Sequence, residues 1–279
     1  MRVALTGGLE SIAMSSAPVL VERLGGVGVI RLNRPEALNA LDLAAKTGLL
    51  AALDDLSTDP GVRCVVLTGT GRAFCVGQDL REHVARLESA GPEGVLATVP
   101  EHYNPIATLV HTMPKPVIAA VNGVAAGAGA SLAFLADLRL VAAGAGFNLA
   151  FAQIGLSCDT GCSWTLPRLV GPTAALRLLY EGGTISAEES LRLGIATEVI
   201  PDTEFEARVL DVAARLAAGP TQAYAAMRQA VAYGAHSSLT EALAYEADLM
   251  ARTGATEDHR QAVDAFLAKR PPLFTGQRG

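Results

Sequence analysis

The sequence predicts an α/β fold closed by a helical C-terminal region, and three observations carry that prediction. Strand-like apolar runs alternate with helical stretches from about residue 19 to residue 200, strand signals stop after Pro201, and four successive helical patterns fill the rest. The chain has the material for such a fold: of its 279 residues half are hydrophobic and 18% are charged, enough for a large buried core and too apolar for general disorder. The expected organisation is a loose N-terminal leader over residues 1–16, an α/β core over 17–201 and a helical region over 202–279.

The elements follow in order. VLVER from Val19 and VGVIRLN from Val27 read as two strands around Gly25-Gly26, a hairpin signal. Asp42 opens a helix that ends before Asp59-Pro60-Gly61, and CVVLTG from Cys64 is a wholly apolar strand with a turn after it. A helix then runs to about Met113, followed by the strand PVIAAVNG, a small-residue helix from Gly127, the strand LRLVAA from Leu138, and an irregular stretch leading to a helix near Thr160. Helical patterns cover 203–218, 220–233, 238–253 and 256–268. Ser186 and Ser238, each three residues before a Glu, read as capping boxes. The C-terminal helices are too few to enclose a core, so Leu239, Leu243, Leu249, Met250, Phe266 and Leu267 are expected to pack on the first domain or on another subunit.

Composition also excludes classes of function. Acids outnumber bases 28 to 22, the net charge is −6, and no Lys/Arg run could track a phosphate backbone, so no nucleic-acid partner is expected. Cys64, Cys75, Cys158 and Cys162 form no C-x-x-C pair and the five histidines lack metal spacing, which points to a reducing cytoplasm and to no metal site. Residues 117–136 are long and apolar enough to imitate a membrane span. Asn122, the glycines and the flanking Pro114 and Pro116 favour a buried strand, turn and helix instead, so no membrane partner is expected.

Two glycine-rich passages are candidates for chemistry. In GRAFCVGQDL, Gly77 lets the chain turn after a strand so that the Gln78 amide can face a ligand before Asp79 caps a helix. In NGVAAGAGASLAFLAD, the Ala128 amide falls in the unpaired first turn of a helix. Two free amides on separate segments can converge on one oxygen and stabilise an oxyanion. Neither passage reads as a nucleotide-binding glycine motif.

Taken together, NRPEALNALD at 33–42, AFCVGQDL at 73–80, KPVIAAVNGVAAGAGASLA at 115–133, IGLSCDTGCSWTLPRLVG at 154–171 and the A-x-E-S-x-x-x-G-I-A-T-E-V run from Ala187 resemble the crotonase superfamily, the enoyl-CoA hydratase/isomerase family. The resemblance covers about residues 19–268. It implies a spiral of β-β-α units, a C-terminal trimerisation region giving a homotrimer or hexamer, acyl-CoA thioester substrates, and no cofactor beyond the coenzyme A of the substrate itself. It further implies that the Gln78 and Ala128 amides bind the thioester oxygen and that Ala37 and Leu38 contact the CoA moiety.

The family does not by itself fix the reaction. The resemblance places the two glutamates of the hydratases at Ser131 and Phe151, neither of which can do carboxylate work, so hydration loses its water-activating base and proton source. One acid remains, Asp159 in SCDTG. By itself it reads equally as a helix cap, but it matches a catalytic Asp of dienoyl-CoA and ring epoxide isomerases and the nucleophilic Asp of 4-chlorobenzoyl-CoA dehalogenase. A single carboxylate suffices for a 1,3-proton shift through an enolate. The expectation is therefore an isomerase. The alternatives are an enoyl-CoA hydratase using another acid such as Asp79 or Glu82, and a catalytically silent acyl-CoA-binding subunit. Asp79 lies near the expected CoA channel, although a cap is its simpler role. Phe151 and Trp164 are candidate pocket walls, and His83 and His102 fall in a stretch expected to form loops over the pocket.

Overall fold

The structure, a computed structural model, describes residues 17–276; the expected leader at 1–16 lies outside them. The hairpin around Gly25-Gly26 forms as β1 (Val19–Leu24) and β2 (Val27–Leu32). Asp42 accepts from the Ala45 amide to cap α1 (Leu43–Thr58), whose buried stripe includes Leu49, Leu53 and Leu56. β3 (Cys64–Gly69) is buried along its whole length, as its unbroken apolar sequence requires of a strand covered on both faces. β4 (Ala73–Cys75) follows, then α2 (Leu80–Leu96), a wide turn at Val99–Tyr103 and α3 (Asn104–Thr112). Gly91 and Pro92 interrupt α2 with a non-helical step. His83 and His102 therefore stand on α2 and on the wide turn, in place of the expected loops.

The membrane-like run resolves into β5 (Val117–Val121), β6 (Val124–Ala126) and α4 (Ala128–Leu135), every residue of α4 being buried. β7 (Leu138–Ala142), β8 (Gly146–Asn148), α5 (Cys162–Val170), α6 (Pro172–Glu181), β9 (Thr184–Ser186), α7 (Ala187–Arg192) and β10 (Glu198–Ile200) complete the α/β part. α8 (Phe205–Ala217), α9 (Thr221–Gly234), α10 (Leu239–Gly254) and α11 (Glu257–Leu267) follow. Ser238 and Glu241 form the full reciprocal capping box, whereas Ser186 caps α7 alone because Glu189 is drawn to Arg192. No helix of the described residues is long and apolar enough to cross a membrane.

Two sheets result. The larger runs β1-β2-β3-β5-β7-β10, parallel after the opening hairpin, and the smaller runs β4-β6-β8-β9. Each turn of the chain places one strand in the large sheet and the next in the small one before a helix, as in β3-β4-α2 and β5-β6-α4. The small sheet carries the site, because the ends of β4 and β6 turn into α2 and α4.

The C-terminal helices are fastened to this core by few, strong contacts. Arg228 of α9 pairs with Asp137 at 2.7 Å and donates to the carbonyls of Val110, Met113 and Lys115. Arg63 donates to Thr221 and to the carbonyls of Gly219 and Phe274. Of the six apolar residues expected to be covered, only Leu249 is buried within the chain; Leu239, Leu243, Met250, Phe266 and Leu267 are 55–82% exposed. Packing on the first domain therefore does not account for those five.

Candidate active site

Gly77 sets the geometry. Its φ is +83°, and a Cβ there would lie 2.9 Å from the Ala126 carbonyl oxygen and 3.1 Å from the Ala128 nitrogen. Only glycine lets the end of β4 pass so close to the start of α4. At Gly129 the same holds, since a Cβ would fall on the Cys75 carbonyl. The next residue, Gln78, is fixed by a parallel bridge to Leu41: Leu41 donates to the Gly77 carbonyl at 2.7 Å and Asp79 donates to the Leu41 carbonyl at 3.1 Å. That bridge leaves the Gln78 N–H outside it. The Ala128 N–H heads α4, beyond the reach of any intrahelical carbonyl. Among the described residues neither amide has a protein acceptor, and the two lie side by side across Gly77. Such a pair can receive developing negative charge on one oxygen.

Asp159 lies in the turn before α5. Its backbone carbonyl accepts from Cys162, but the helix is capped at Gly161 without any side-chain cap, so the capping role does not hold. The carboxylate is half-buried, accepts from the Thr160 hydroxyl at 3.0 Å and has no ion pair among the described residues. Burial pushes its pKa above the ordinary carboxylate value, with Thr160 opposing. Its charge reaches the buried Tyr103 phenol, whose hydroxyl donates to the Gln78 side chain at 2.9 Å, which ties Asp159 to the neighbourhood of the amide pair. Buried Ser131 turns its hydroxyl back to the Gly127 carbonyl at 3.2 Å, and Phe151 lies 3.9 Å from where a Cβ on Gly127 would be. The Phe151 ring thus borders the Ala128 end. Ala37 and Leu38, half-buried, lead directly into the strand bridge at Leu41.

Two expected site residues are elsewhere engaged. Asp79 is buried, caps α2 by accepting from Arg81 and Glu82, and pairs with Arg34 at 2.9 Å; burial resists ionisation there, but Arg34 and the cap hold the carboxyl below its usual value. It is not available to a substrate. Trp164 faces away: His111 meets it edge-on at 4.8 Å, Arg168 stacks over it at 4.1 Å, and it borders a separate cavity of about 500 Å³ between α5 and α9. Glu82 accepts from Lys46 at 2.9 Å and from the Leu43 amide at 2.6 Å, so it is occupied too. Burial drives the thiols of Cys64, Cys75 and Cys162 up to about 12, which makes them unreactive packing groups. No cluster of three or more His, Cys, Asp or Glu that could hold a metal occurs among the described residues.

Sequence reasoning overlooked Lys46 and Tyr103. Both are fully buried and both bind the Gln78 side chain. A lysine on the apolar stripe of α1, three residues before Leu49, was the available signal.

Two sheets wound as a spiral, with paired free amides where β4 and β6 end, define a protein of the crotonase superfamily. The sequence model of the enoyl-CoA hydratase/isomerase family matches residues 22–277, and the chain belongs to that family. It is 44% identical over 264 residues to a Rhodobacter capsulatus protein named "Probable enoyl-CoA hydratase", covering 95% of this chain and all of the relative. It is 39% identical over 253 residues to 1,2-epoxyphenylacetyl-CoA isomerase of Escherichia coli K12, covering 90% and 96%. Among solved structures, an enoyl-CoA hydratase from Bacillus anthracis superposes with a TM-score of 0.88 at 30% identity, covering 93% of this chain and all of the other.

Proposed function

We propose that the protein is an acyl-CoA isomerase of the cytoplasm that shifts a double bond, or rearranges a ring epoxide, through a thioester enolate. The observation that carries this reading is Asp159: an unpaired, half-buried carboxylate with a raised pKa near two free amides, in a site that has Ser131 and Phe151 where hydration would need carboxylates. For a 3-enoyl thioester the Asp159 carboxylate takes the α-proton. The electron pair moves toward the thioester oxygen, where the Gln78 and Ala128 N–H groups receive the charge. The same carboxyl then returns its proton at the γ-carbon, and the double bond ends conjugated to the carbonyl. The CoA part runs past Ala37 and Leu38, and Phe151 walls the acyl end. The chain acts as a homotrimer or hexamer, joined through the exposed apolar faces of α10 and α11.

Hydration is the competing reading, favoured by the name of the 44% identical relative. Against it, the two other nearby acids, Asp79 and Glu82, are committed to Arg34 and Lys46. The test is Asp159→Asn assayed on 3-enoyl, dienoyl and aryl-epoxide thioesters and on crotonyl-CoA. The expected result is isomerisation lowered by about 10²–10⁴-fold with acyl-CoA affinity kept. Unchanged turnover, or hydration of crotonyl-CoA by both proteins, would overturn the proposal.

A further inference from the structure

The Gln78 side chain, as distinct from its amide, is held by a buried polar cluster that no step above uses. Its Oε1 accepts from the Tyr103 hydroxyl at 2.9 Å and from the Lys46 ammonium at 3.2 Å. Its Nε2 donates to Glu82 at 3.3 Å. Lys46 has no exposed surface; it also donates to Glu82 at 2.9 Å and to the Thr98 hydroxyl at 2.8 Å, and lies 5.7 Å from the Tyr103 ring centre. The three groups on Gln78 come from α1, α2 and the wide turn at Val99–Tyr103, three elements that converge on a single side chain. A buried ammonium placed there is costly unless its hydrogen bonds are all met, and here three acceptors meet it. Stability alone would be served as well by an apolar cluster of the same volume. What an apolar cluster could not do is fix the torsion of residue 78, whose backbone already sits between the positive-φ Gly77 and the capping Asp79.

We propose that Lys46 and Tyr103 are positioning residues that clamp the Gln78 side chain and so aim the Gln78 N–H at the thioester oxygen. The inference rests on the oxyanion role given above to the Gln78 amide. Tyr103 and Lys46 touch neither substrate nor reacting atoms. They act through Gln78, and an amide turned away from the oxygen by a small rotation loses most of its bond to the developing charge.

The test uses the full-length protein, Tyr103→Phe, Gln78→Leu and the double variant. Gln78→Leu keeps the backbone amide and removes the clamped group. Two quantities are read: kcat and KM on the isomerised thioester, and the carbonyl stretching frequency of bound acetyl-CoA labelled with 13C at the thioester carbonyl. Tyr103→Phe is expected to lower kcat about tenfold with KM unchanged and to reverse much of the downshift in carbonyl frequency. Added to Gln78→Leu, it should change neither quantity further, because its route of action is already gone. If Tyr103→Phe leaves the frequency at its wild-type position, or its effect is the same in both backgrounds, the clamp is refuted. If wild-type protein itself does not shift the carbonyl, it is the oxyanion assignment that fails. Should Tyr103→Phe not fold, Lys46→Met combined with Glu82→Gln removes the other arm without stranding a charge and is read in the same way.

Discussion

At residue 159 function and stability pull in opposite directions. The carboxylate is kept without a cation, and burial raises its pKa above the ordinary 3.8. A raised folded-state pKa means that the folded protein holds the proton more tightly than the unfolded chain does. The stabilisation this gives is complete below the unfolded value and is lost as the pH climbs through the folded one, so at neutral pH the ionised group is a net cost. Asp159→Asn is therefore expected to raise the melting temperature at pH 7, with the gap to wild type closing below about pH 3.8, as thermal unfolding across a pH series would show. The acidic limb of kcat for wild type should correspondingly lie above the ordinary carboxylate value, since only the ionised form takes a proton. A melting temperature unchanged at pH 7 would mean that the carboxylate is solvated. The acid itself was legible in the sequence, because SCDTG stands out once positions 131 and 151 lack carboxylates. Its freedom from capping was not, since Asp-Thr-Gly before a helix fits a cap equally well until the backbone shows Gly161 in that place.

The elements that matter most are the junctions where a three-residue strand turns into a helix. Gly77 permits the β4 junction to approach the β6 junction, and no other residue combines φ +83° with 2.9 Å of clearance to a carbonyl. Gly77→Ala is expected to cost about 1–3 kcal/mol in chemical denaturation and to depress kcat far more than KM, since it separates the two amides while leaving the CoA contacts in place. A variant of wild-type activity would show that the amides do not work as a pair. Strands of the large sheet and nearly all helices were readable from apolar runs and caps. β4, β6, β8 and β9 were not: each is three residues long, too short to display a period, and their pairing is created by the spiral rather than by local sequence. Trp164 was misplaced for a related reason. On α5 it lies four residues from Arg168, on the face opposite buried Thr165 and Leu166, and which face meets the site depends on where the helix starts.

On the scale of the whole molecule, the apolar surface left bare by α10 and α11 is expected to be an interface. Phe266, 82% exposed, and Leu267, 74% exposed, are neighbours on the last helix, and such contiguous apolar area on a single chain marks association. Light scattering should return three or six times the 28.8 kDa of one chain, and Phe266→Glu with Leu267→Glu should reduce it toward that single mass. A wild-type monomer at micromolar concentration would contradict the assembly. The order of the strands has a different consequence. In both sheets the strands lie side by side in the order in which they occur along the chain, β1-β2-β3-β5-β7-β10 and β4-β6-β8-β9. No strand has to be inserted between two that are already paired. As the polypeptide leaves the ribosome, each new segment therefore finds its docking edge already built, and the spiral can grow from its amino end by accretion, with β10 as the last strand to close the large sheet.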